Sequence, residues 1–138
     1  MLTEEQKSVY LKVLTPIFRK YNVLAAYIFG SVAAGDTHAR SDLDLAIRFL
    51  KKPTLKKMLS LEQDCVEILG TNVDLVYFDE APIPLKFRII QARSLIYARD
   101  VKKEIIENVK IMSMYYDYSY YLNRFVKAEI NRIAKHGI

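Results

Sequence analysis

Two aspartates, Asp42 and Asp44, stand two residues apart at the start of the run DLDLAIRFL, in which polar and apolar residues alternate. Because successive side chains of a strand point to opposite faces, this spacing puts both carboxylates on one face. Two like charges this close are unfavourable unless a cation lies between them. Charged oxygen ligands favour Mg²⁺ or Mn²⁺, and the sequence offers no Cys/His cluster with zinc spacing. The pair therefore predicts a site for a divalent cation.

A third carboxylate and a glycine–serine turn extend this candidate site. Asp74 lies inside another strand-like run, NVDLVYF, where a neighbouring strand could bring it beside the first two. Gly30 and Ser31 follow the apolar run VLAAYIF, and there a glycine lets the backbone approach a ligand while the serine hydroxyl and free amides can bind phosphate oxygens. Three carboxylates, two metal ions and a nucleoside triphosphate make the arrangement for in-line attack at phosphorus. We expect nucleotidyl transfer.

The elements that must position these residues follow from apolar periodicity and capping. Thr3 can cap a first helix that runs to about Tyr21, with a kink or break at Pro16. The runs VLAAYIF, DLDLAIRFL and NVDLVYFD are predicted strands, and SLIYARD is an edge strand or an extended connection. The runs TLKKMLSLEQDCVEILG and IPLKFRIIQA are predicted helices, the first ending at Gly70. From Val101 onward the pattern is helical.

These residues match the pattern of a known family. Gly30 and Ser31, ten intervening residues, the pair Asp42 and Asp44, and Asp74 on a later strand resemble the G-S-x10-D-x-D signature of DNA polymerase β-type nucleotidyltransferases. The text IFGSVAAGDTHARSDLDLAI and the small size resemble the minimal nucleotidyltransferases among them, the MntA-like antitoxins that pair with HEPN-domain toxins. The resemblance covers roughly residues 23–98 with specific motifs, and the two termini only by general layout.

The resemblance implies an α+β fold, in which helices pack on a small mixed β-sheet and a helical arm follows. It also implies ATP as substrate, held at Gly30 and Ser31, and two Mg²⁺ ions held by the three carboxylates Asp42, Asp44 and Asp74. Asp74 would also help to deprotonate the incoming hydroxyl.

Two further residues and an acceptor are implied in the same way. Arg40 and Ser41, just before the aspartate pair, are candidate contacts to the triphosphate or to the loop. The implied acceptor is a tyrosine hydroxyl of the cognate HEPN ribonuclease toxin, which receives AMP and is neutralised. Composition and spacing do not choose this acceptor, so two alternatives stay open: an antitoxin that acts by binding alone, and transfer to RNA or to a small molecule.

The C-terminal helical region carries an unusual density of tyrosine. Five of the ten tyrosines lie within seven residues: Tyr115, Tyr116, Tyr118, Tyr120 and Tyr121. An apolar stripe recurs at steps of three or four residues through Tyr115, Tyr118, Leu122, Val126, Ile130 and Ile133. We expect a nucleotidyltransferase domain of residues 1–100 and a helical extension of residues 101–138. Because the other tyrosines fall partly off this stripe, aromatic rings occupy much of the circumference of the helix, more than one small domain would cover. The extension should pack on the domain and bind the toxin through residues 112–132.

Length and composition limit the number of domains, the location of the protein and the charge of its partners. The length of 138 residues fits one domain with an appended helical arm, and no apolar run reaches the roughly 20 residues that span a bilayer. One cysteine and a polar, acidic beginning favour the cytoplasm. The net charge of +5 fits either an anionic partner or an ordinary soluble domain. The lysines of the run KKPTLKK are by default a solvated group, with contact to an anion as the alternative.

Overall fold

The computed structural model describes residues 2–30 and 42–137. The elements follow in the order α1 (Glu4–Lys20), β1 (Val23–Phe29), β2 (Leu43–Phe49), α2 (Leu55–Leu69), β3 (Val73–Tyr77), a 3₁₀ helix (Phe78–Glu80), α3 (Ile83–Gln91), β4 (Leu95–Ala98) and α4 (Val101–His136). This order confirms the expected α+β class and each of the three strands predicted around the candidate site.

The four described strands form one mixed sheet in the order β3-β2-β1-β4. Strand β1 is antiparallel to both β2 and β4, whereas β2 and β3 run parallel. Parallel strands need a long crossover connection, and α2 supplies it. Strand β4 lies at one edge of the sheet, which confirms the edge-strand interpretation of SLIYARD, and β3 lies at the other.

The two faces of the sheet are covered by different helices. Helices α1 and α2 cover the first face, where the buried core includes Leu14, Phe18, Val23, Ile28, Leu45, Leu61 and Cys65. Burial raises the pKa of the Cys65 thiol to about 12, as expected for a core cysteine. The second face carries a smaller buried cluster of Ala25, Tyr27, Ala46, Phe78 and Ile89, against which α3 and α4 pack. Asp44 and Arg48 alternate with the first-face residues of β2 and therefore lie on the second face.

Helix α1 differs from the sequence expectation at Pro16. The helix begins as predicted, because the Thr3 hydroxyl accepts a hydrogen bond from the Gln6 amide and the Gln6 side chain accepts one from the Thr3 amide. It then continues through Pro16 to Lys20, so that, of the predicted kink or break, the break does not occur. Leu14 and Phe18, on either side of the proline, are fully buried. Their packing offsets the one backbone hydrogen bond that a proline removes.

Helix α4 is a single helix of 36 residues, about 54 Å long. Its first part contacts the second face of the sheet and α3 through four residues at steps of three or four: Glu104, Asn108, Ile111 and Tyr115. The Tyr115 ring stacks on Phe87 of α3, with the ring centroids 3.9 Å apart. From residue 116 to residue 137 no side chain is buried. The helix therefore packs on the domain over its first half and stands exposed over its second.

None of the helices within residues 2–30 and 42–137, α4 included, has the length and apolar character needed to cross a membrane.

Candidate active site

The three predicted carboxylates lie at one end of the sheet. Asp44 is the second residue of β2, and its Cα pairs with that of Asp74 across the parallel ladder. Residues opposite each other on adjacent strands lie about 5 Å apart and present their side chains to the same face. Asp42 stands just before the first residue of β2 rather than inside the strand. The structure thus brings Asp44 and Asp74 side by side, with Asp42 two residues away along the chain.

Gly30 closes the site from the neighbouring strand. It follows the last residue of β1, Phe29, which pairs with Asp44. Its φ of +75° lies in the left-handed region, where the backbone of residues other than glycine is strained. A Cβ placed on Gly30 would also overlap the Oδ2 atom of Asp44. Glycine is therefore favoured here by its backbone conformation, and a larger residue would also have to displace the Asp44 carboxylate.

The electrostatics of this end of the sheet are unbalanced. Burial raises the pKa of Asp44 above its ordinary value, and the negative charges of Asp74 and Asp42 raise it further. Among the described residues, no lysine or arginine forms an ion pair with any of the three. Negative charge therefore accumulates where a cation would relieve it.

The donor chemistry fits Mg²⁺, although the carboxylates do not converge on one point. In the part of the chain that the structure describes, no three Asp, Glu, His or Cys side chains stand close enough together to hold a metal ion. Oxygen-only donors and the unbalanced negative charge nevertheless suit a hard cation. Asp42, Asp44 and Asp74 are the side chains that would hold it.

Three of the predicted nucleotide-binding residues, Ser31, Arg40 and Ser41, lie outside the described residues. Their roles stay predictions. Of the predicted phosphate turn, the structure describes Gly30 alone.

A buried polar network lies on the same face of the sheet, about 13 Å along β2 from Asp44. Arg48 donates one hydrogen bond to Glu104 of α4, with 2.8 Å between Nη1 and Oε1, and another to Asp79, with 3.2 Å between Nε and Oδ1. The Tyr27 hydroxyl also donates to Glu104, and it accepts from the Asn108 amide at 2.9 Å. Burial, together with the hydrogen bond to Glu104, raises the pKa of Tyr27.

The sequence analysis missed this network. The sequence contained one indication of it. Arg48 lies two residues after the buried Ala46 and so on the same face of β2, and a charged side chain on a face covered by helices needs a hydrogen-bonding partner. Glu104 could not be found, because its burial depends on how α4 docks on the sheet.

The family described as polymerase beta nucleotidyltransferase matches residues 12–102. The chain belongs to this family and is a nucleotidyltransferase. The resemblance drawn from the G-S and D-x-D residues is thereby confirmed.

Curated relatives of the chain are described as protein adenylyltransferases. A putative protein adenylyltransferase of Methanocaldococcus jannaschii is 32% identical over 77 residues, which are 56% of this chain and 83% of the relative. The protein adenylyltransferase MntA of Thermococcus cleftensis is 34% identical over 77 residues, which are 55% of this chain and 78% of the relative.

Solved structures with a similar fold include toxin–antitoxin complexes. A toxin–antitoxin structure with AMP-PNP matches with a TM-score of 0.70 and 21% identity, covering 87% of this chain and 98% of that one. A complex of tri-AMPylated Shewanella oneidensis HEPN toxin with its MNT antitoxin matches with a TM-score of 0.67 and 17% identity, covering 90% of this chain and 98% of that one. At these identities the likeness concerns the fold.

Proposed function

We propose that this chain is the antitoxin of a HEPN/MNT-type pair, acting in the cytoplasm as a Mg²⁺-dependent adenylyltransferase that moves AMP from ATP to a tyrosine of its toxin. The observation that carries the proposal is the in-register pairing of Asp44 with Asp74 beside Gly30. Support comes from relatives described as protein adenylyltransferases and from structural neighbours described as toxin–antitoxin complexes.

The proposed reaction assigns a role to each of the predicted site residues. The tyrosine oxygen attacks the α-phosphorus of ATP, an O–P bond forms, the bond to the β-phosphate oxygen breaks, and diphosphate leaves. Asp74, exposed at the edge of the sheet, accepts the proton of the incoming hydroxyl. Gly30 and Ser31 hold the phosphates, with Arg40 and Ser41 beside them. Mg²⁺, when bound by the carboxylates, would neutralise charge on the phosphates.

Helix α4 is the proposed surface for the toxin. The residues by which its first half packs on the domain, ending at Tyr115, recur at steps of three and four, and the apolar stripe continues at the same spacing past the domain. The continuation consists of Tyr118, Leu122, Val126, Ile130 and Ile133, all of them exposed. An apolar stripe that continues beyond the last residue in contact with the domain is the pattern expected of a helix that also packs on a second protein.

The proposed activity is tested with labelled ATP, Mg²⁺ and the HEPN-domain protein encoded in an adjacent reading frame. We expect label to move to the toxin, and Asp42→Asn to abolish the transfer. Glu67→Gln, which neutralises an exposed carboxylate on α2, is the control and should transfer normally. Transfer that is absent in the wild type, or equal in wild type and Asp42→Asn, would reject the enzymatic proposal.

The exposed face of α4 favours a second candidate, neutralisation by binding alone. Tyr116 and Tyr121 are 59% and 67% exposed, so their replacement by alanine should leave the fold intact. We expect the double variant to bind the toxin more weakly, while an Asp42→Asn/Asp44→Asn variant binds normally but fails to protect cells. Full protection by the aspartate variant would instead support binding as the whole function. Unchanged affinity of the tyrosine variant would remove the proposed interface.

A further inference from the structure

A small basic cleft lies at the opposite end of the sheet from the three carboxylates. Its volume is about 270 Å³, and its lining consists of Asn22, Phe49, Leu50, Lys51, Lys57 and Arg99. Phe49 is the last residue of β2, five residues beyond Asp44, which places the cleft about 17 Å from that carboxylate.

The cations of this cleft come from two parts of the chain, the run KKPTLKK and the end of β4. Lys51 follows β2, Lys57 lies in the first turn of α2, and Arg99 follows β4. The backbone amide of Arg99 donates to the Leu24 carbonyl of β1 at 2.8 Å, which fixes the backbone of this residue at the end of the sheet. The Lys57 ammonium stands 4.7 Å from the ring centre of the buried Phe49. Two of the cations belong to the run KKPTLKK, and the fold adds Arg99 from a segment more than forty residues further along the chain.

No described carboxylate balances these charges. Within residues 2–30 and 42–137, Lys51, Lys57 and Arg99 form no ion pair. Arg99 also lines an adjoining cleft that contains four acidic residues, Asp79, Asp100, Glu104 and Glu107.

Each acid of that adjoining cleft already has another partner. Asp79 and Glu104 accept from Arg48, the Asp100 side chain caps α4 at the Lys103 amide, and Glu107 pairs with Lys110. Within residues 2–30 and 42–137, three cations therefore line one cleft, and none of them forms an ion pair with a carboxylate.

We propose that this cleft binds a small phosphate-bearing anion with at least two negative charges, of the size of diphosphate. A carboxylate with one charge would leave most of the positive charge unbalanced, whereas phosphoryl oxygens can accept from lysine and arginine together. The Asn22 side chain adds an amide donor at the rim. The volume lies just below that of sites for drug-sized molecules, which favours a small ion.

The test is a titration of the full chain with sodium diphosphate by isothermal titration calorimetry, in EDTA and without ATP. The variant Lys51→Gln/Lys57→Gln/Arg99→Gln removes the cleft charges. A matched variant, Lys12→Gln/Lys127→Gln/Lys135→Gln, makes the same change in net charge at exposed positions elsewhere. We expect the cleft variant to weaken binding about tenfold or more and the matched variant less than about twofold, because charged hydrogen bonds act over short distances. Urea unfolding of both variants checks that the fold is kept.

Three results would overturn the proposal. These are no diphosphate binding by the wild type, whether or not a short oligouridylate binds, equal weakening in both triple variants, and unchanged binding in the cleft variant. The measurement needs neither ATP nor toxin, and the proposed transfer depends on the carboxylates at the other end of the sheet. Failure here therefore leaves the adenylyltransferase proposal untouched, and the reverse also holds.

Discussion

Asp44 and Arg48 lie four residues apart on one face of β2, and their surroundings are opposite in kind. Arg48 is matched, since two carboxylates accept its hydrogen bonds and Tyr27 completes the network. Asp44 is unmatched, since its described charged neighbours are two further aspartates that raise its pKa. A buried charge with partners holds elements in place, whereas an accumulation of like charge without them marks a site that awaits a ligand. One strand thus carries a structural end and the end at which we propose the active site.

The largest effect that this contrast predicts is on catalysis at the unmatched end. Asp44→Asn should lower AMP transfer on the order of 1,000-fold. The substitution removes one of the carboxylates that would hold Mg²⁺, and this ion would stabilise the charge of the transition state. Its free energy of unfolding without Mg²⁺ should stay unchanged or rise by up to about 1 kcal/mol, because a repelled carboxylate is removed. Transfer assays and urea unfolding measure the two quantities. A clear loss of stability would mean that Asp44 is matched after all.

At the end of β2 that carries Arg48, we expect a substitution to lower the free energy of unfolding. Glu104→Ala leaves Arg48 buried without its closest partner and should lower the free energy of unfolding by about 3 kcal/mol. Glu129→Ala, which breaks the more exposed pair with Arg132, should change it by less than about 1 kcal/mol. Urea unfolding of both variants decides, and equal changes would remove the distinction between the two pairs.

A smaller effect is expected at the glycine that borders the unmatched end. Gly30→Ala should cost about 2 kcal/mol, because the new Cβ is strained at positive φ and overlaps the Asp44 carboxylate. Gly70→Ala is the matched control: its φ is +68° but a Cβ there meets open space, so only the backbone cost of about 1 kcal/mol remains. Thermal or urea unfolding compares them. If Gly30→Ala were no worse than Gly70→Ala, the close approach to Asp44 would be refuted.

The smallest effect is a pH dependence from the raised pKa of Asp44. A carboxyl whose folded-state pKa exceeds its unfolded value favours folding when protonated, and this contribution is lost as pH rises through the folded pKa. In EDTA, the wild type should therefore lose stability relative to Asp44→Asn as pH rises from below the ordinary carboxyl range toward neutrality. Adding Mg²⁺ at neutral pH should reverse the difference, since a ligand of the native state stabilises it. A difference that is flat with pH would contradict the raised pKa.

The sequence predicted what local rules decide. Strand parity placed Asp44 on one face, and the run around Asp74 predicted the strand that pairs with it. Parity could not decide that Asp42 precedes β2, because the start of β2 depends on its ladder with β3, where the Leu43 amide donates to the Asn72 carbonyl. The continuation of α1 through Pro16 likewise depends on core packing that periodicity alone does not report.

Contacts between segments far apart in the chain could not be predicted from the sequence for a related reason. Arg48 and Glu104 are 56 residues apart, and their pairing follows from the docking of α4. The basic cleft is similar: KKPTLKK appeared as a solvated run of lysines, and only the fold brings Arg99 and Asn22 to it.

The exposed second half of α4 has a consequence for how the free chain behaves over time. Helices without tertiary packing are only marginally stable in water, and beyond Tyr115 this one has its own backbone bonds and a few side-chain pairs such as Glu129 with Arg132. Its amide hydrogens should exchange with solvent in a gradient that steepens past Tyr115, fastest at the C-terminal end. A partner that covers this half would slow the exchange, and part of its binding free energy would go into ordering the helix.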